Sequence, residues 1–375
     1  MPARYRAPRR GRSTFGNPMA RIAGMRSLAQ LYRHFGEVDA AGTSPLYERI
    51  AFALSESDEA LRAIETAPAR KRHPTVILAA LHDLALAGRA PALAAAYAAA
   101  DGDAAAGAAI DALLRMTDAV VANAVRRPHR AGETGRCAVL YPAIAEAARR
   151  AGADAIGLID VGCSAGLNLN VDRVGITYDN GQSLGDPSSP VQLSSSFRGD
   201  RPIPTLAMPE VVARIGVDLD PVDVTDAAQA RWLRACVWPD QPDRLARLEA
   251  ELALAATVPP LLLRGDAVEL LPDAFAQVPA DALPVVTTTW ALSRFSLESR
   301  LRFLHRLDEA ATGRAVAWVS AEGVGVAPSI PTLGDRRASG HSIIGLAVFG
   351  QSALRAEAIG RCWSQGRLLA WLAES

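Results

Sequence analysis

Neither sign of charge is in excess in this chain, because 40 basic residues balance 40 acidic ones. That balance excludes the broad positive field by which proteins gather nucleic acid or anionic membranes, and a small-molecule ligand becomes the default partner. Cysteine is scarce. Cys137, Cys163, Cys236 and Cys362 lie far apart with no C-x-x-C pair, which argues against a disulfide framework and a zinc site and fits a reducing, cytoplasmic setting. The six histidines show neither H-x-x-x-H nor H-E-x-x-H spacing, so nothing in the sequence asks for a metal. No apolar run reaches the roughly 18 residues that span a bilayer, and no membrane partner is expected. Residues 1–24 carry Arg4, Arg6, Arg9, Arg10, Arg12 and Arg21 without an acid or an apolar stretch, which excludes a secretory signal. They read as a disordered basic tail, or as a lead-in to a start at Met19 or Met25.

What is present is apolar residue in quantity, half of a 375-residue chain, enough for one large core or two ordinary ones. From about residue 25 to 150 the text is rich in alanine and leucine, with helical spacing and few β-branched runs, and predicts an all-α region. Ser44-Pro45 reads as a cap followed by a first-turn proline, and Pro74 opens another helix whose Val76, Leu78, Leu81 and Leu84 face inward. At residue 156 short apolar runs ending in glycine or an acid begin to alternate with helices, the α/β pattern. Strands are expected at 156–161, 175–178, 191–197, 261–264, 284–289, 315–320, 343–349 and within 367–372. Helices are expected at 226–237 behind Asp226, at 242–255, and at 297–311 with Leu297, Leu301, Leu304 and Leu307 on one apolar face. The Gly-, Pro- and Ser-rich segment 179–210 opens on the turn Asp179-Asn180-Gly181, and a hairpin laid over the mouth of the sheet is expected there. The whole predicts a doubly wound sheet in residues 151–375 behind the helical region.

The stretch "GLIDVGCSAGLNLN", residues 157–170, admits two chemistries. Gly162-Cys163-Ser164-Ala165-Gly166 fits the G-x-S-x-G elbow of a serine hydrolase, with His341 or His305 as a later base. Such a nucleophile normally follows several strands of its sheet, one of which feeds the oxyanion hole. Here helical text precedes it, so 156–161 is the first strand, and first-strand turns of doubly wound sheets bind ligands through glycines. On that reading Asp160 closes the strand, Gly162 allows the turn, Ser164 and Cys163 need only be small, and Gly166 lets backbone approach a ligand.

The spacing Asp160-x-Gly162-x-Ser164-x-Gly166 resembles the first motif of class I S-adenosylmethionine-dependent methyltransferases. The resemblance implies a Rossmann-like sheet whose first turn holds the methionine end of S-adenosylmethionine. It also implies an acid at the tip of the second strand for the ribose hydroxyls. Asp179 stands at the usual distance but in the proposed turn, and Asp218 in "GVDLDP" has a strand-end setting but comes much later. Asp266 in "LLLRGDAVELLP" resembles the acid that receives the adenine amino group. Thr288, Thr289 and Trp290 close the fourth strand where the reacting group sits, and Glu322 ends the fifth, at the edge where open α/β sheets bind ligands.

With "DVGCSAGLNLNVDR" and "RWLRACVWPDQPDR" in view, the chain from about residue 26 to its end resembles an uncharacterised bacterial family, domain of unknown function 2332. The resemblance implies a methyltransferase-like sheet behind a helical region and carries no established reaction. Two runs depart from the family's pattern. A Thr-Gln-Thr-Asn-Glu run before Gly135-Arg136 survives only as Glu133, and a His-Pro-His-Gly run is replaced by Trp363-Ser364-Gln365-Gly366. Glu322 and Glu133 are the acids expected to serve catalysis. The leading expectation is a methyltransferase of unknown acceptor. The alternatives are a methyltransferase-like binding module without chemistry and, third, a hydrolase using Ser164.

Overall fold

The computed structural model describes residues 27–128, 135–350, 355–363 and 366–373. The tail at 1–24 and Glu133 lie outside the described residues. Helices come first: α1 (Leu28–His34), α2 (Pro45–Glu56), α3 (Asp58–Glu65), α4 (Pro74–Leu86), α5 (Pro91–Ala98), α6 (Gly102–Arg115) and α7 (Thr117–Arg126). The Ser44 hydroxyl accepts from the Tyr47 N–H and Pro45 sits in the first turn, so the Ser-Pro pair starts α2 for the reason its chemistry suggests. Helix α4 is buried on nearly every side, and Tyr32, Tyr47, Leu54, Ile77, Leu81 and Leu113 share one core with it.

Helix α8 (Cys137–Ala151) belongs to a different core, packed on the sheet, whereas Trp232 and Ala235 of α9 (Ala227–Ala235) join the helical core. Buried Asp83 of α4 ties that junction together. It accepts from Asn123 Nδ2 at 3.0 Å and from Arg231 Nε of α9 at 3.0 Å. Asp240, beyond α9, accepts from the Ser44 hydroxyl at 2.6 Å and the Leu46 N–H at 3.0 Å. The helical layer therefore holds the segment that leads out of the sheet's second parallel strand.

Among the described residues the sheet has eleven strands in the order β3-β2-β4-β11-β10-β9-β8-β7-β1-β5-β6. They are β1 (Ala155–Val161), β2 (Gly175–Tyr178), β3 (Ser183–Gly185), β4 (Gln192–Phe197), β5 (Glu210–Asp218), β6 (Leu261–Arg264), β7 (Leu283–Thr289), β8 (Val316–Gly323), β9 (Ser342–Phe349), β10 (Arg355–Trp363) and β11 (Leu368–Trp371). The block β6-β5-β1-β7-β8 is parallel throughout. β8 through β11 form an antiparallel meander, and β11 pairs in parallel with β4. From β1 the chain builds outward through β5 and β6, then returns to the other side of β1 for β7 and β8. The C-terminal ends of β1 and β7 consequently face the crevice where such a sheet reverses direction. The mixed α/β class with a large, mostly parallel sheet and helices ahead of it agrees with the sequence expectation.

Helices α11 (Ala267–Ala276) and α12 (Leu297–Ala310) cover one face of the sheet and α8 the other. The apolar face of α12 differs from the expected one. Phe303 and Leu307 are buried, with Phe303 edge-on to Trp318 at 5.4 Å, while Leu297 and Leu301 remain 68% and 54% exposed. The leucine spacing was a helical stripe, but the aromatic residue decides which stripe meets the sheet. The segment 179–210 also differs. Its turn forms, yet β2, β3 and β4 lengthen the sheet beyond β11 instead of lying over its mouth. Among the described residues no single helix is long and apolar enough to cross a membrane. The bent pair α4 and α5, which passes on length and composition together, includes the most buried helix of the helical core.

Candidate functional site at the end of strands β1, β5 and β7

Three strand ends and the turn after β1 make the site. The Gly162 and Cys163 N–H groups donate to Val217 O at 2.8 and 3.4 Å, and the Gly166 N–H donates to Cys163 O at 2.8 Å. The Ser164 N–H donates to Asp218 Oδ2 at 2.9 Å, while Asp218 Oδ1 accepts from the Asp220 N–H at 2.9 Å. Asp218 is therefore the strand-end acid beside β1, and its carboxylate pins the glycine turn. Gly162 has φ +75°, and a Cβ there would sit 2.9 Å from the Ala291 methyl; Gly166 has φ +68° and Pro260 Cγ within 3.0 Å of such a Cβ. Both glycines hold left-handed backbone in close contact with neighbouring side chains.

On the α8 side of the sheet, Asp160 is 1% exposed. Its Oδ1 accepts from the Thr287 hydroxyl at 2.8 Å and its Oδ2 from Asn168 Nδ2 at 3.3 Å. Burial pushes its carboxyl up to about 6, against the lowering effects of Thr287, Arg136 and Asn168. Arg136, just ahead of α8, donates through Nη1 to Thr289 Oγ1 at 2.9 Å and lies 5.1 Å over the Trp290 ring. The Trp290 Nε1–H donates to Ser342 Oγ at 2.8 Å, and its backbone stands at φ +53°. Ser164 has the same φ of +53°. Two side-chain-bearing residues thus hold left-handed backbone on the two loops that flank the crevice, a strain that proteins keep where the surroundings fix it.

Glu322 belongs to the opposite face. Asp160 pairs in register with Thr287, and Thr288 pairs with Ser320, so alternate residues point toward α8 or toward α12. Thr288, Ser320 and Glu322 take the α12 side. Thr288 is fully buried and accepts from Trp318 Nε1 at 3.1 Å, which makes it a core hydrogen-bond acceptor and corrects its expected place in the mouth. Glu322 Oε1 accepts the Ala291 and Leu292 N–H groups at 2.9 and 3.0 Å, and its Oε2 is buried without a partner. Burial raises its carboxyl to about 7. Glu322 therefore holds the loop after β7, the same loop whose Ala291 closes on Gly162.

The family profile of DUF2332, described as uncharacterized protein conserved in bacteria, matches residues 29–371. The chain belongs to this family. No curated protein and no solved structure matches it. Every site residue named above falls within the span matched by DUF2332.

Other expected residues of this DUF2332 chain fall away from the cluster. Asp179 is in the exposed β2–β3 turn at the far edge of the sheet, where it accepts from the Phe197 N–H at 2.6 Å and pairs with Arg198 at 3.1 Å. Its spacing from Asp160 was right, but β2 is not the strand beside β1. Asp266 follows β6 at the correct edge, and its carboxylate caps α11 by accepting from Val268 and Glu269. His341 Nε2 pairs with Asp335 at 2.8 Å and exposed His305 with Glu309 at 3.1 Å, so neither histidine is spent on Ser164. Arg136, Asn168 and Thr287 are the site residues that sequence reasoning missed. Arg136 reaches Thr289 across 153 positions, a contact with no local signal.

The backbone of Ser164 yields a test. Ser164→Gly is expected to stabilise the folded DUF2332 chain by about 0.5–1 kcal/mol in urea unfolding, since glycine adopts φ +53° without the steric cost. A nucleophilic serine predicts instead that labelling by a fluorophosphonate probe is lost in Ser164→Ala; no labelling of the unaltered protein is expected.

Proposed function

We propose that the chain is a class I methyltransferase-like protein that binds S-adenosylmethionine across the C-terminal ends of β1, β5 and β6. One observation carries the reading: the buried acid Asp218 ends the strand beside β1 and is locked to the turn after β1. Two further features support it. The parallel block runs third-second-first-fourth-fifth in its own chain order, as in doubly wound nucleotide-binding sheets. Leu219, next after Asp218, is 74% exposed, an apolar side chain standing where a flat ring would cover it.

The residues present fit an adenosine. Asp218 Oδ2 accepts the Ser164 N–H and Oδ1 the Asp220 N–H, which fixes the carboxylate at the strand end where the resemblance implies that a ribose is held. A cleft of about 220 Å³, lined by Asp220, Pro221, Trp232 and Arg264, opens beside it, and Arg126 and Arg127 of the helical layer form its other wall. When bound there, S-adenosylmethionine supplies an electrophilic methyl group. The chain's own part is to hold the ribose with Asp218, to keep the turn and the β7 loop fixed through Glu322, and to offer Asp160 as proton acceptor. A carboxyl raised to about 6 is mostly ionised near neutral pH and more basic than an ordinary aspartate, which suits it to accept a proton.

Isothermal titration of the full chain with S-adenosylmethionine is expected to give a Kd below about 0.5 mM, a free energy of about −4.5 kcal/mol or better. No heat from folded protein at that concentration rejects the reading. A second reading, a binding module without chemistry, rests on the inward use of four N–H groups of the turn, which leaves the loop itself few donors for a reacting ligand. Binding without transfer to any acceptor would favour it.

A further inference from the structure

Glu251 lies on the buried face of α10 (Pro242–Thr257), the helix packed against the short helix Leu167–Arg173 that follows the glycine turn. Arg173 secures that packing by donating to Leu254 O at 3.3 Å and to the Thr257 hydroxyl at 2.6 Å. The Glu251 side chain is not used by the site as described so far. Its Oε2 is buried with no hydrogen-bond partner, a costly state for a carboxyl group. The carboxyl borders a space of about 10 Å³ that Cys137, Asn168 and Asn170 also line. That is room for a single water.

The polar atoms around this space match the bonding of a water molecule. Asn168 spends Nδ2 on Asp160 Oδ2 at 3.3 Å and, more weakly, on Thr289 Oγ1 at 3.5 Å, which leaves its Oδ1 as an acceptor. Asn170 spends Oδ1 on Arg173 Nη1 at 3.0 Å, which leaves its Nδ2 as a donor. Burial raises the Glu251 carboxyl to about 8, with Arg247 on the same helix opposing, so the group carries its proton near neutral pH and is a donor. The three polar residues that line this water-sized space thus offer two donors and one acceptor, within the two to four partners a buried water takes.

We infer that this space holds one ordered water linking Glu251 to Asn168, and that Glu251 is thereby a positioning residue for Asp160. The water accepts from the Glu251 carboxyl and from Asn170 Nδ2 and donates to Asn168 Oδ1. Held at its oxygen, the Asn168 amide keeps its N–H directed at Asp160, and α10 becomes a support of the site. The link involves no cofactor, so it stands or falls separately from S-adenosylmethionine binding.

The test follows the titration of the Asp160 carboxyl by carbon-13 NMR in the full chain without ligand, with Asp160→Asn identifying the signal. Glu251→Leu removes the donor, frees the Asn168 amide, and is expected to raise the Asp160 midpoint by about 0.5–1 pH unit. Glu251→Gln keeps an N–H donor and is expected to leave the midpoint within about 0.2 unit of the unaltered protein. With Asn168→Leu already in place, Glu251→Leu is expected to add nothing, because the path through the amide is gone. An unchanged Asp160 midpoint in Glu251→Leu, or an equal shift with and without Asn168, overturns the inference. Should the leucine variant fail to fold, a high-resolution crystal structure of the unaltered chain decides: water density between Glu251 and Asn168 supports the link, and an empty space refutes it.

Discussion

Alanine in place of Asp218 is expected to weaken S-adenosylmethionine binding by about a hundredfold or more and to lower the melting midpoint by a few degrees. The first effect follows from losing hydrogen bonds to a charged acceptor, each worth about 1.5–3 kcal/mol, where about 2.7 kcal/mol already makes a factor of a hundred. The second follows from the turn. The Ser164 N–H loses the Asp218 acceptor while its residue sits at φ +53°, and leaving a part-buried donor unmade costs about 1 kcal/mol. Asparagine is no rescue, since both carboxylate oxygens accept backbone N–H groups and one would be replaced by an amide that donates. Asp179→Ala serves as the control. Its carboxylate meets Phe197 and Arg198 at the far edge of the sheet, so titration should show unchanged affinity. Equal losses from the two substitutions would remove Asp218 from the binding site.

That contrast shows where the sequence could be read and where it could not. The strands β1, β6 and β7 are legible because each is an apolar, mostly β-branched or leucine run cut off by glycine, an acid or a turn. β5, "EVVARIGVD", and β10, "RAEAIGRCW", carry charges within the run and hide among loop-like text. Asp179 looked right because spacing along the chain stands for spacing in the sheet only when consecutive strands are neighbours. Here β2, β3 and β4 are interposed, and the neighbour of β1 is β5. The three threonines Thr287, Thr288 and Thr289 are identical letters, and register alone sends the middle one to the α12 side. Asp160 and Glu322 are both strand-end acids in the text, yet the sheet lies between them.

The helical layer, which the text shows only as alanine-rich helix, takes part in the site through a few polar contacts. Asp83 holds Arg231 of α9, and Arg127 at the end of α7 lies 5.5 Å over Trp232 of the same helix. α9 follows the segment that begins at Asp218, so the helices behind it restrain the strand-end acid. The cleft beside Asp218 is consequently shared between the two layers, with Arg126 and Arg127 on one side and Asp220 and Arg264 on the other.

Stability is expected to fall as pH rises from about 6.5 to 8, against the plateau usual for a protein with surface-paired acids. Three buried carboxyls set the sign. Asp160 is pushed up to about 6, Glu322 to about 7 and Glu251 to about 8, in each case first by burial. Each folded value lies above the unfolded one, so between the two the folded chain holds a proton that the unfolded chain has released. The benefit is complete below the ordinary carboxylate range and is lost as pH climbs through the folded value. Buried His82, lowered to about 4, acts in the opposite sense, because below about 6.5 the unfolded imidazole takes up a proton that the folded one refuses. It offsets one of the acids at lower pH and drops out above 6.5, where Glu322 and Glu251 act unopposed by it. Each contributes at most about 1.4 kcal/mol per pH unit. Urea unfolding at half-unit steps from pH 5.5 to 8.5 measures the slope. Glu322→Gln should remove the part that ends near 7 and Glu251→Gln the part that continues to 8, since a neutral amide has no proton to lose. A flat profile above pH 6.5 in the unaltered chain would mean that both carboxyls ionise normally, and Glu251 could then not serve as the buried donor behind Asn168.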